Sequence, residues 1–369
     1  MENVAATEKP TTDKQDSDEP DNDKPGAETP DAGSESMSTV LLALGANLGV
    51  GALKLAAGLV TGSGALLSEA AHSAGDSSTE LLLLTALRRS DRPADRIHPF
   101  GYGKERYFWS LLAAVTILIS GAAFSVYQGT HTLVAGGETS DRLWLNYPVL
   151  AIAFVIEGTS LRQAVKQVRR EAREGRRSPE SYIRDPDDPT VKSVFLEDSA
   201  ALVGLVLAGL GVGLHQLTGD SVWDGCASLA IGALLIVVAF ALAQTCKGLL
   251  IGKQADARVV GEISDWLEAQ PEIVDVVDLL TMQTGVDSVL LCARVDFRDE
   301  YDSADLEAAC VRIDAEIRVA FTDLDEVFIE PVPRTDAALR SRVLERYGRA
   351  LADEPGKPPR TAPRGGPVG

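Results

Sequence analysis

GALLSEAAHSAGDSSTELLLLTAL, residues 64–87, is long and apolar enough to cross a membrane, yet it contains a histidine and acidic residues in its middle. A helix needs about 20 residues to cross the hydrocarbon core of a bilayer. Ionisable groups inside such a span cost several kcal/mol, so they are rare there and tend to serve a function. The stretch therefore predicts a membrane-spanning helix that contains a functional site.

Five further apolar segments accompany this one, and each is about as long as a membrane-spanning helix. They cover residues 38–60, 108–133, 145–165, 191–217 and 222–250. Gly, Ala and Ser are frequent in them, which suits close helix packing in lipid. The sequence therefore predicts an all-α membrane domain, a six-transmembrane-helix bundle over residues 38–253.

The connections between these segments predict the orientation of the helices. The second connection and the fourth connection are rich in Lys and Arg, whereas the other three are short and poor in both. Basic connections stay on the cytoplasmic side of a membrane. All five connections therefore agree on one topology, in which both termini are cytoplasmic.

The chain outside the membrane segments divides into three parts. Residues 1–37 are acidic and nearly lack large apolar residues, which predicts a disordered tail without the pattern of a signal peptide. Residues 254–335 combine helical and strand periodicities in the order αββαβ, which predicts a small cytoplasmic α+β domain. Residues 336–369 become rich in Pro, Gly and Arg, and we expect this tail to be largely disordered.

Charge and cysteine content exclude two classes of function. The net charge of −19 argues against nucleic acid as a partner, because phosphate binding needs a basic surface. The four cysteines contain no CxxC pair, so neither a zinc ribbon nor a thioredoxin motif is present, and free thiols are expected.

His72 and Asp76 are the strongest candidates for metal ligands. Their spacing of four residues places both side chains on one helical face, one turn apart. An imidazole nitrogen and a carboxylate oxygen together suit zinc and other borderline divalent ions. A third carboxylate, Asp198 in the fifth segment, lies at similar depth, and Glu69, Glu197 or a water are candidates for the fourth position. The alternative is a pair that only hydrogen-bonds internally or to a neighbouring helix.

Other ionisable residues in the segments have less specific predictions. Glu197 points about 100° away from Asp198 around the helix, so an ion pair with a basic loop residue is its alternative role. Glu157 is a candidate for a proton relay or for a hydrogen bond to the ligands. We expect Lys54 to snorkel towards the membrane surface and Asp224 to cap the sixth helix.

Four motifs resemble the cation diffusion facilitators, the zinc-transporter family of metal–proton antiporters. They are SGALLSEAAHSAGD (63–76), HPFGYGKER (98–106), LEDSAALVG (196–204) and WDGCASLAIG (223–232). The fifth segment is most similar to the branch that includes the mammalian mitochondrial member. The resemblance covers residues 38–333 and implies proton-coupled export of a divalent cation, Zn²⁺ in the first place, with no enzymatic activity and no cofactor. It also implies a homodimer formed through a metallochaperone-like, ferredoxin-like cytoplasmic domain.

The family's ligand positions are only partly kept in this chain. Its membrane site uses two residues four apart on the second span, which fall on His72 and Asp76, and two on the fifth, which fall on Val194 and Asp198. Val194 cannot bind a metal, so the choice of ion is open. A site richer in oxygen favours Mn²⁺ or Fe²⁺.

The family's second metal site, in the loop after the second span, is also incomplete. Its Asp, His and second His fall on Asp95, His98 and Tyr102. Because a tyrosine replaces the second histidine, we expect a weak or absent loop site, with a structural role as the alternative for His98.

A membrane scaffold that recruits other proteins is the alternative outside the transporter class. The cost of burying His72 and Asp76 argues against it, since a scaffold has no need for an ionisable pair in the membrane. High Arg, Ala and Gly content hints at a bacterial protein, hence at the plasma membrane as its location.

Overall fold

A computed structural model describes residues 37–136, 143–176, 178–184, 188–339, 341–343 and 345–346. The predicted disorder of residues 1–36 and of residues 347–369 lies outside the described residues, as does the third connection over 137–142.

The apolar segments of the sequence form a series of helices, most of them long. They are α1 (Met37–Thr61), α2 (Gly64–Ser90), α3 (Glu105–Thr116), α4 (Phe124–Ala135), α5 (Asn146–Glu174), the short α6 (Pro179–Arg184), α7 (Pro189–Thr218) and α8 (Val222–Ile251). A π-helical turn, Ile117–Ala123, joins α3 to α4 into one continuous helical rod. Four stretches of the described chain are long and apolar enough to cross a membrane: Glu105–Ala135, Leu143–Glu174, Pro189–Thr218 and Val222–Ile251. The prediction of a helical membrane bundle is therefore confirmed.

The beginning of α2 is held by a residue from another helix. Ser63 caps α2 by accepting a hydrogen bond from the Leu66 N–H, at 3.2 Å. Asp224, in the first turn of α8, accepts hydrogen bonds from the Ser63 hydroxyl at 2.6 Å and from the Ala65 N–H at 3.1 Å. Asp224 is thus a capping residue, as predicted, but it caps α2 and not its own helix. The contact fixes the N-terminal end of the helix that carries His72.

The remaining chain forms a helix–sheet domain with the predicted order of elements. They are α9 (Ala257–Glu268), β1 (Ile273–Gly285), β2 (Ser288–Phe297), α10 (Ser303–Ala320) and β3 (Leu324–Pro331). The sheet order is β1-β2-β3, with β1 and β2 antiparallel and β2 and β3 parallel. Every second residue of β2 is buried, which is the pattern of a strand with one face against helices. The buried face packs on Ile263 and Leu267 of α9 and on Ile313 and Ile317 of α10.

Ordered structure extends past the domain boundary predicted at residue 335. Residues 337–339 and 341–343 are helical. Arg346 then forms an ion pair of 2.8 Å with the buried Asp278, which also binds Arg294 at 3.1 Å. The four cysteines are free thiols, as predicted.

Candidate metal centre

One face of α2 is lined with ionisable side chains over most of the helix. Glu69, His72, Asp76 and Glu80 follow one another at spacings of three or four residues, so they share an arc of about 80°. Helix α2 packs on α3, α4, α7 and α8, and residues of this face also bind Lys54 and Asn47 of α1. Glu69 and His72 are buried. The face therefore forms a polar line through the membrane bundle.

His72 and Asp76 form the pair that their spacing predicted. Their Nδ1 and Oδ1 atoms are 3.4 Å apart. His72 is 2% exposed, and its Nε2 has no hydrogen-bond partner among the described residues. Buried polar atoms in native proteins are nearly always hydrogen-bonded, so a buried nitrogen without a partner requires an explanation. A neutral imidazole nitrogen with a free lone pair is the group that binds a divalent metal.

The carboxylates of α7 lie close to this pair. Asp76 interacts electrostatically with both Glu197 and Asp198. Asp198 accepts a hydrogen bond of 2.8 Å from Ser160 on α5, and Glu197 accepts one of 2.9 Å from Ser193. Glu197 therefore pairs with a hydroxyl of its own helix, and no ion pair to a basic loop residue is found within the described chain.

The described residues do not hold a complete coordination sphere. No three His, Cys, Asp or Glu side chains in this part of the chain lie close enough to share one ion. The structure thus joins His72 to Asp76 and leaves Asp198, Glu197 and Glu69 at their own hydrogen-bond partners.

Lys54 contradicts the prediction that it snorkels to the membrane surface. Its side chain is 0% exposed, and its Nζ donates hydrogen bonds to Ser73 Oγ at 2.8 Å and to Glu69 Oε2 at 3.2 Å. Glu157 Oε1 on α5 lies 3.5 Å from the same nitrogen. The ammonium group stays inside because these three acceptors replace the water that it would otherwise seek. Glu69, a candidate for the fourth ligand, and Glu157, a candidate for a proton relay, therefore both lie at Lys54.

Gly204 lets α7 approach this buried cluster. A Cβ at position 204 would lie 2.1 Å from Glu69 Oε1, a distance that no side chain can occupy. The backbone of α7 therefore rests against the Glu69 carboxyl group. Helices α2 and α7, the two helices that carry the candidate ligands, are therefore close together at this point.

Sequence reasoning overlooked Glu80, although the signal was available. Glu80 lies one helical turn beyond Asp76, and the Asn47 side chain of α1 donates a hydrogen bond to its Oε1. It also interacts electrostatically with Glu197 and Asp198. The same four-residue spacing that identified His72 and Asp76 extends to Glu80, which therefore adds an acidic group one helical turn nearer the C-terminal end of α2.

The π-helical turn beside His72 had no signal in the sequence. A Cβ on Gly121, inside this turn, would lie 3.9 Å from the His72 Cα, and one on Gly75 of α2 would lie 2.7 Å from Ser120 Oγ. Isolated π-helical turns are rare and frequently lie at functional sites. The turn thus packs directly against the α2 segment that carries the candidate ligands.

The loop between α2 and α3 is organised by hydrogen bonds to Asp95. The backbone N–H groups of Ile97 and His98 donate to its Oδ1 at 2.8 and 2.7 Å, and the Tyr102 hydroxyl donates to its Oδ2 at 2.7 Å. The hydrogen bond from the His98 backbone, and then that from Tyr102, lower the pKa of Asp95 to about 2. A lowered carboxyl pKa means that these bonds are fully present above pH about 4 and are lost only as the pH falls towards 2.

Tyr102 is a hydrogen-bond donor here and not a metal ligand. Its hydrogen bond to Asp95 raises the pKa of the phenol, so the group keeps its proton. The His98 and Tyr102 rings are also in contact, with centroids 4.3 Å apart. The three loop residues are therefore adjacent in space, with a phenol in the place of the second imidazole.

Replacing Tyr102 by histidine should create Zn²⁺ binding in this loop. The Tyr102→His change places a second imidazole beside Asp95 and His98, which completes a set of ligands that suits zinc. Isothermal titration of the full-length protein in detergent should detect a site that the Tyr102→Phe control lacks. The additional site should disappear in a Tyr102→His/His98→Ala double variant. Equal Zn²⁺ binding by the histidine and phenylalanine variants would contradict this assignment.

Comparison with known proteins places the chain in a family. The model of the cation efflux transmembrane domain matches residues 40–251. The human protein named proton-coupled zinc antiporter SLC30A9, mitochondrial, is 34% identical over 244 residues, which are 66% of this chain and 43% of that protein. The Xenopus laevis protein of the same name is 35% identical, over 66% of this chain and 44% of that protein. Metal tolerance protein C4 of Arabidopsis thaliana is 31% identical over 265 residues, 72% of this chain and 58% of that protein.

The match to the family model and the likeness to these relatives point to the same family. The chain spans less than half the length of the zinc antiporters that it resembles. The family model covers all six predicted membrane segments, including the α2 face that carries His72 and Asp76. This chain belongs to the cation efflux family, the cation diffusion facilitators, and is similar to the branch that contains SLC30A9.

Proposed function

We propose that this protein exports a divalent cation, Zn²⁺ in the first place, from the cytoplasm in exchange for protons. The observation that carries the proposal is the buried pair of His72 and Asp76. The Nε2 atom of His72 has no hydrogen-bond partner among the described residues. The relatives that are named proton-coupled zinc antiporters support zinc as the cargo and protons as the counter-ion.

The proposed topology has six membrane-spanning helices and two cytoplasmic termini. In addition to the four long apolar stretches, α1 contributes the apolar helix Asn47–Thr61. The carboxylates of α2 lower its hydropathy, but they face other helices and not lipid, so α2 can still span the bilayer. Basic connections after α2 and α5 support cytoplasmic termini. Composition favours a bacterial plasma membrane as the location.

The ion would first bind His72 and Asp76 and then recruit Asp198. Recruitment requires the Asp198 carboxylate to exchange its hydrogen bond from Ser160 for the metal. A small movement of α7 against α2 would accomplish this exchange and change the side from which the site is open. Glu197 is our candidate for the fourth ligand, ahead of Glu69, whose carboxylate accepts a hydrogen bond from Lys54. Glu80 would attract the ion from the cytoplasmic side.

Protons would compete with the metal for the same atoms. Metal binding needs a neutral imidazole and ionised carboxylates, so binding releases protons and low pH on one side releases metal. Histidine is suited to this exchange because its ordinary pKa is close to neutral. Glu157 is our candidate for a relay, since it lies 3.5 Å from Lys54 within the same buried cluster.

We propose that the protein is a homodimer formed through the domain of α9, α10 and the three-stranded sheet. The exposed apolar side chains of Val319 on α10 and Phe328 on β3 support this proposal, because such groups are candidates for an interface. Light scattering of the full-length protein in detergent would test the stoichiometry. A monomer at micromolar concentration would contradict it.

A transport panel tests both the proposed function and its nearest alternatives. Proteoliposomes with a pH gradient should take up Zn²⁺, and the uptake should collapse when the gradient is dissipated. The oxygen-rich site around Val194 favours Mn²⁺ or Fe²⁺ as the second candidate cargo, so both ions and Co²⁺ belong in the panel. Val194→His adds a nitrogen ligand beside Asp198 and should raise the preference for Zn²⁺ over Mn²⁺ by about tenfold. Absence of flux for all four ions would favour the alternative function, a membrane scaffold that recruits other proteins.

A further inference from the structure

Helix α5 is longer than the hydrocarbon core that it crosses. It contains 29 residues and is therefore about 43 Å long, whereas the hydrocarbon core is about 30 Å thick. The last two to three turns of α5, from Lys166 to Glu174, must extend beyond the acyl chains into the headgroup region. The side chains of these turns therefore lie at the depth of the lipid headgroups and not in bulk water.

One continuous face of α5 is apolar in the first part of the helix and basic towards its C-terminal end. Exposed residues at alternating spacings of three and four residues form this face: Ile152, Val155, Thr159, Arg162, Lys166, Arg169 and Arg173. Such spacing keeps side chains on one side of a helix. The opposite side is buried and consists of Ala164, Val168 and Ala172. The basic side chains thus point in the same direction as the lipid-facing Ile152 and Val155.

The basic face encloses a surface concavity of about 430 Å³. Lys166, Arg169, Arg170, Arg173 and Glu174 line it. Arg170 lies 3.5 Å from the Glu171 carboxylate, and it is the only one of these four cations with an ion pair among the described residues. Four cations around one acidic residue are unusual in a chain with a net charge of −19. The concavity is therefore suited to an anion from outside the protein.

Basic residues of the other cytoplasmic loop are used differently. Arg89 stacks on Trp109 at 5.3 Å and pairs with Glu105 at 3.7 Å. Arg106 pairs with Asp188 at 3.4 Å. A general preference for basic cytoplasmic loops explains the presence of all these charges. It does not explain why the cations of α5 lie on one lipid-facing side, whereas Arg89 and Arg106 of the other loop bind protein groups.

We propose that the basic face of α5, Lys166, Arg169, Arg170 and Arg173, binds the phosphate headgroup of an anionic phospholipid. Guanidinium groups bind phosphate oxygens in a bidentate manner, and juxtamembrane basic clusters attract anionic lipids. The acyl chains of such a lipid would continue along Ile152 and Val155, which a free phosphate ion could not use. The inference rests on the proposed cytoplasmic location of this helix end, but it does not depend on metal transport.

Native mass spectrometry of the full-length protein in neutral detergent tests the proposal. Phosphatidylglycerol should bind at least tenfold more tightly than phosphatidylcholine of the same acyl chains. Each basic residue near an anionic lipid contributes about fivefold in affinity, so Arg169→Gln/Arg173→Gln should weaken phosphatidylglycerol binding by about 30-fold. Arg169→Lys/Arg173→Lys keeps both charges and should stay within about threefold of the wild type. Arg169 and Arg173 are exposed, so these substitutions should not disturb folding. Size-exclusion profiles of the variants check this.

A control with the same change of net charge separates a site from bulk electrostatics. Arg96 and Arg342 are exposed and do not line the concavity of α5, so Arg96→Gln/Arg342→Gln should leave phosphatidylglycerol binding within twofold. Equal loss in both double variants, or equal binding of the two lipids by the wild type, would overturn the proposal. Displacement of the lipid by millimolar inorganic phosphate would also overturn it, in favour of a free-anion site. Transport in the panel above is scored separately, so failure of either proposal is distinguishable.

Discussion

His72→Ala should abolish metal transport by this protein. The variant removes the buried imidazole whose Nε2 is without a hydrogen-bond partner in the described chain. Groups that merely hydrogen-bond to metal-bound histidines are worth about 10- to 100-fold in affinity or activity. Loss of the ligand itself should therefore lower proton-driven Zn²⁺ uptake into proteoliposomes by at least about 100-fold. Asp76→Asn, which preserves the side-chain volume but removes the charge, should have a similar effect.

A variant of the same helix serves as the control for this loss. Ser78 is exposed, and among the described residues its hydroxyl binds the Ala74 carbonyl of its own helix and no other group. Ser78→Ala should therefore transport at the wild-type rate. Uptake above half of the wild-type rate in both His72→Ala and Asp76→Asn would exclude the pair as the metal site. Loss of uptake in Ser78→Ala would show that the assay reports damage to α2 and not ligand chemistry.

Helix positions and helix faces could be predicted from the sequence because both depend on local periodicity. The second span was expected over residues 64–87, and α2 covers Gly64–Ser90. The spacing of His72 and Asp76 placed them on one face, and the structure brings them to 3.4 Å. The helix–strand pattern after residue 254 likewise predicted the order of α9, β1, β2, α10 and β3.

Contacts between residues on different helices could not be predicted in the same way. Lys54 lies 15 residues from Glu69 in the chain and reaches Glu157 on a third helix, so no local pattern announces their contact. The capping role of Asp224 was recognisable from its position, but the capped helix begins 160 residues earlier, at Gly64. Such contacts depend on which helices are neighbours. A single sequence indicates only on which face of its helix a residue lies and at what depth in the membrane.

The buried Lys54 changes how the charge of the membrane site should be counted. Glu69, Asp76, Glu157, Glu197 and Asp198 would together be strongly repulsive in a medium of low dielectric constant. The ammonium group compensates part of this charge through its contacts with Glu69 and Glu157. Two carboxylates are thereby occupied without a metal, which would leave Asp76 and the α7 carboxylates for the cation that we propose is transported. In this interpretation Lys54 is a fixed internal cation beside the transported one.

Lys54→Met should lower the free energy of unfolding by about 3 to 5 kcal/mol, because it leaves the buried Glu69 and Glu157 without their cation. Methionine preserves the length and apolar volume of the lysine stem, so lost packing contributes little. The free energy would be measured by SDS titration of the full-length protein in mild detergent. Lys54→Arg should retain more stability than Lys54→Met, since it keeps the charge.

A double-mutant cycle shows whether this loss comes from the ion pair. Glu69→Gln removes the carboxylate that accepts the 3.2 Å hydrogen bond, so adding Lys54→Met to it should cost much less than adding it to the wild type. Glu157→Gln should couple more weakly, because Glu157 lies 3.5 Å from the Lys54 nitrogen and is not hydrogen-bonded to it. Additive losses for Lys54 and Glu69 would mean that the two residues do not depend on each other. In that case Glu69 would be available as a metal ligand, and the internal-cation interpretation would be wrong.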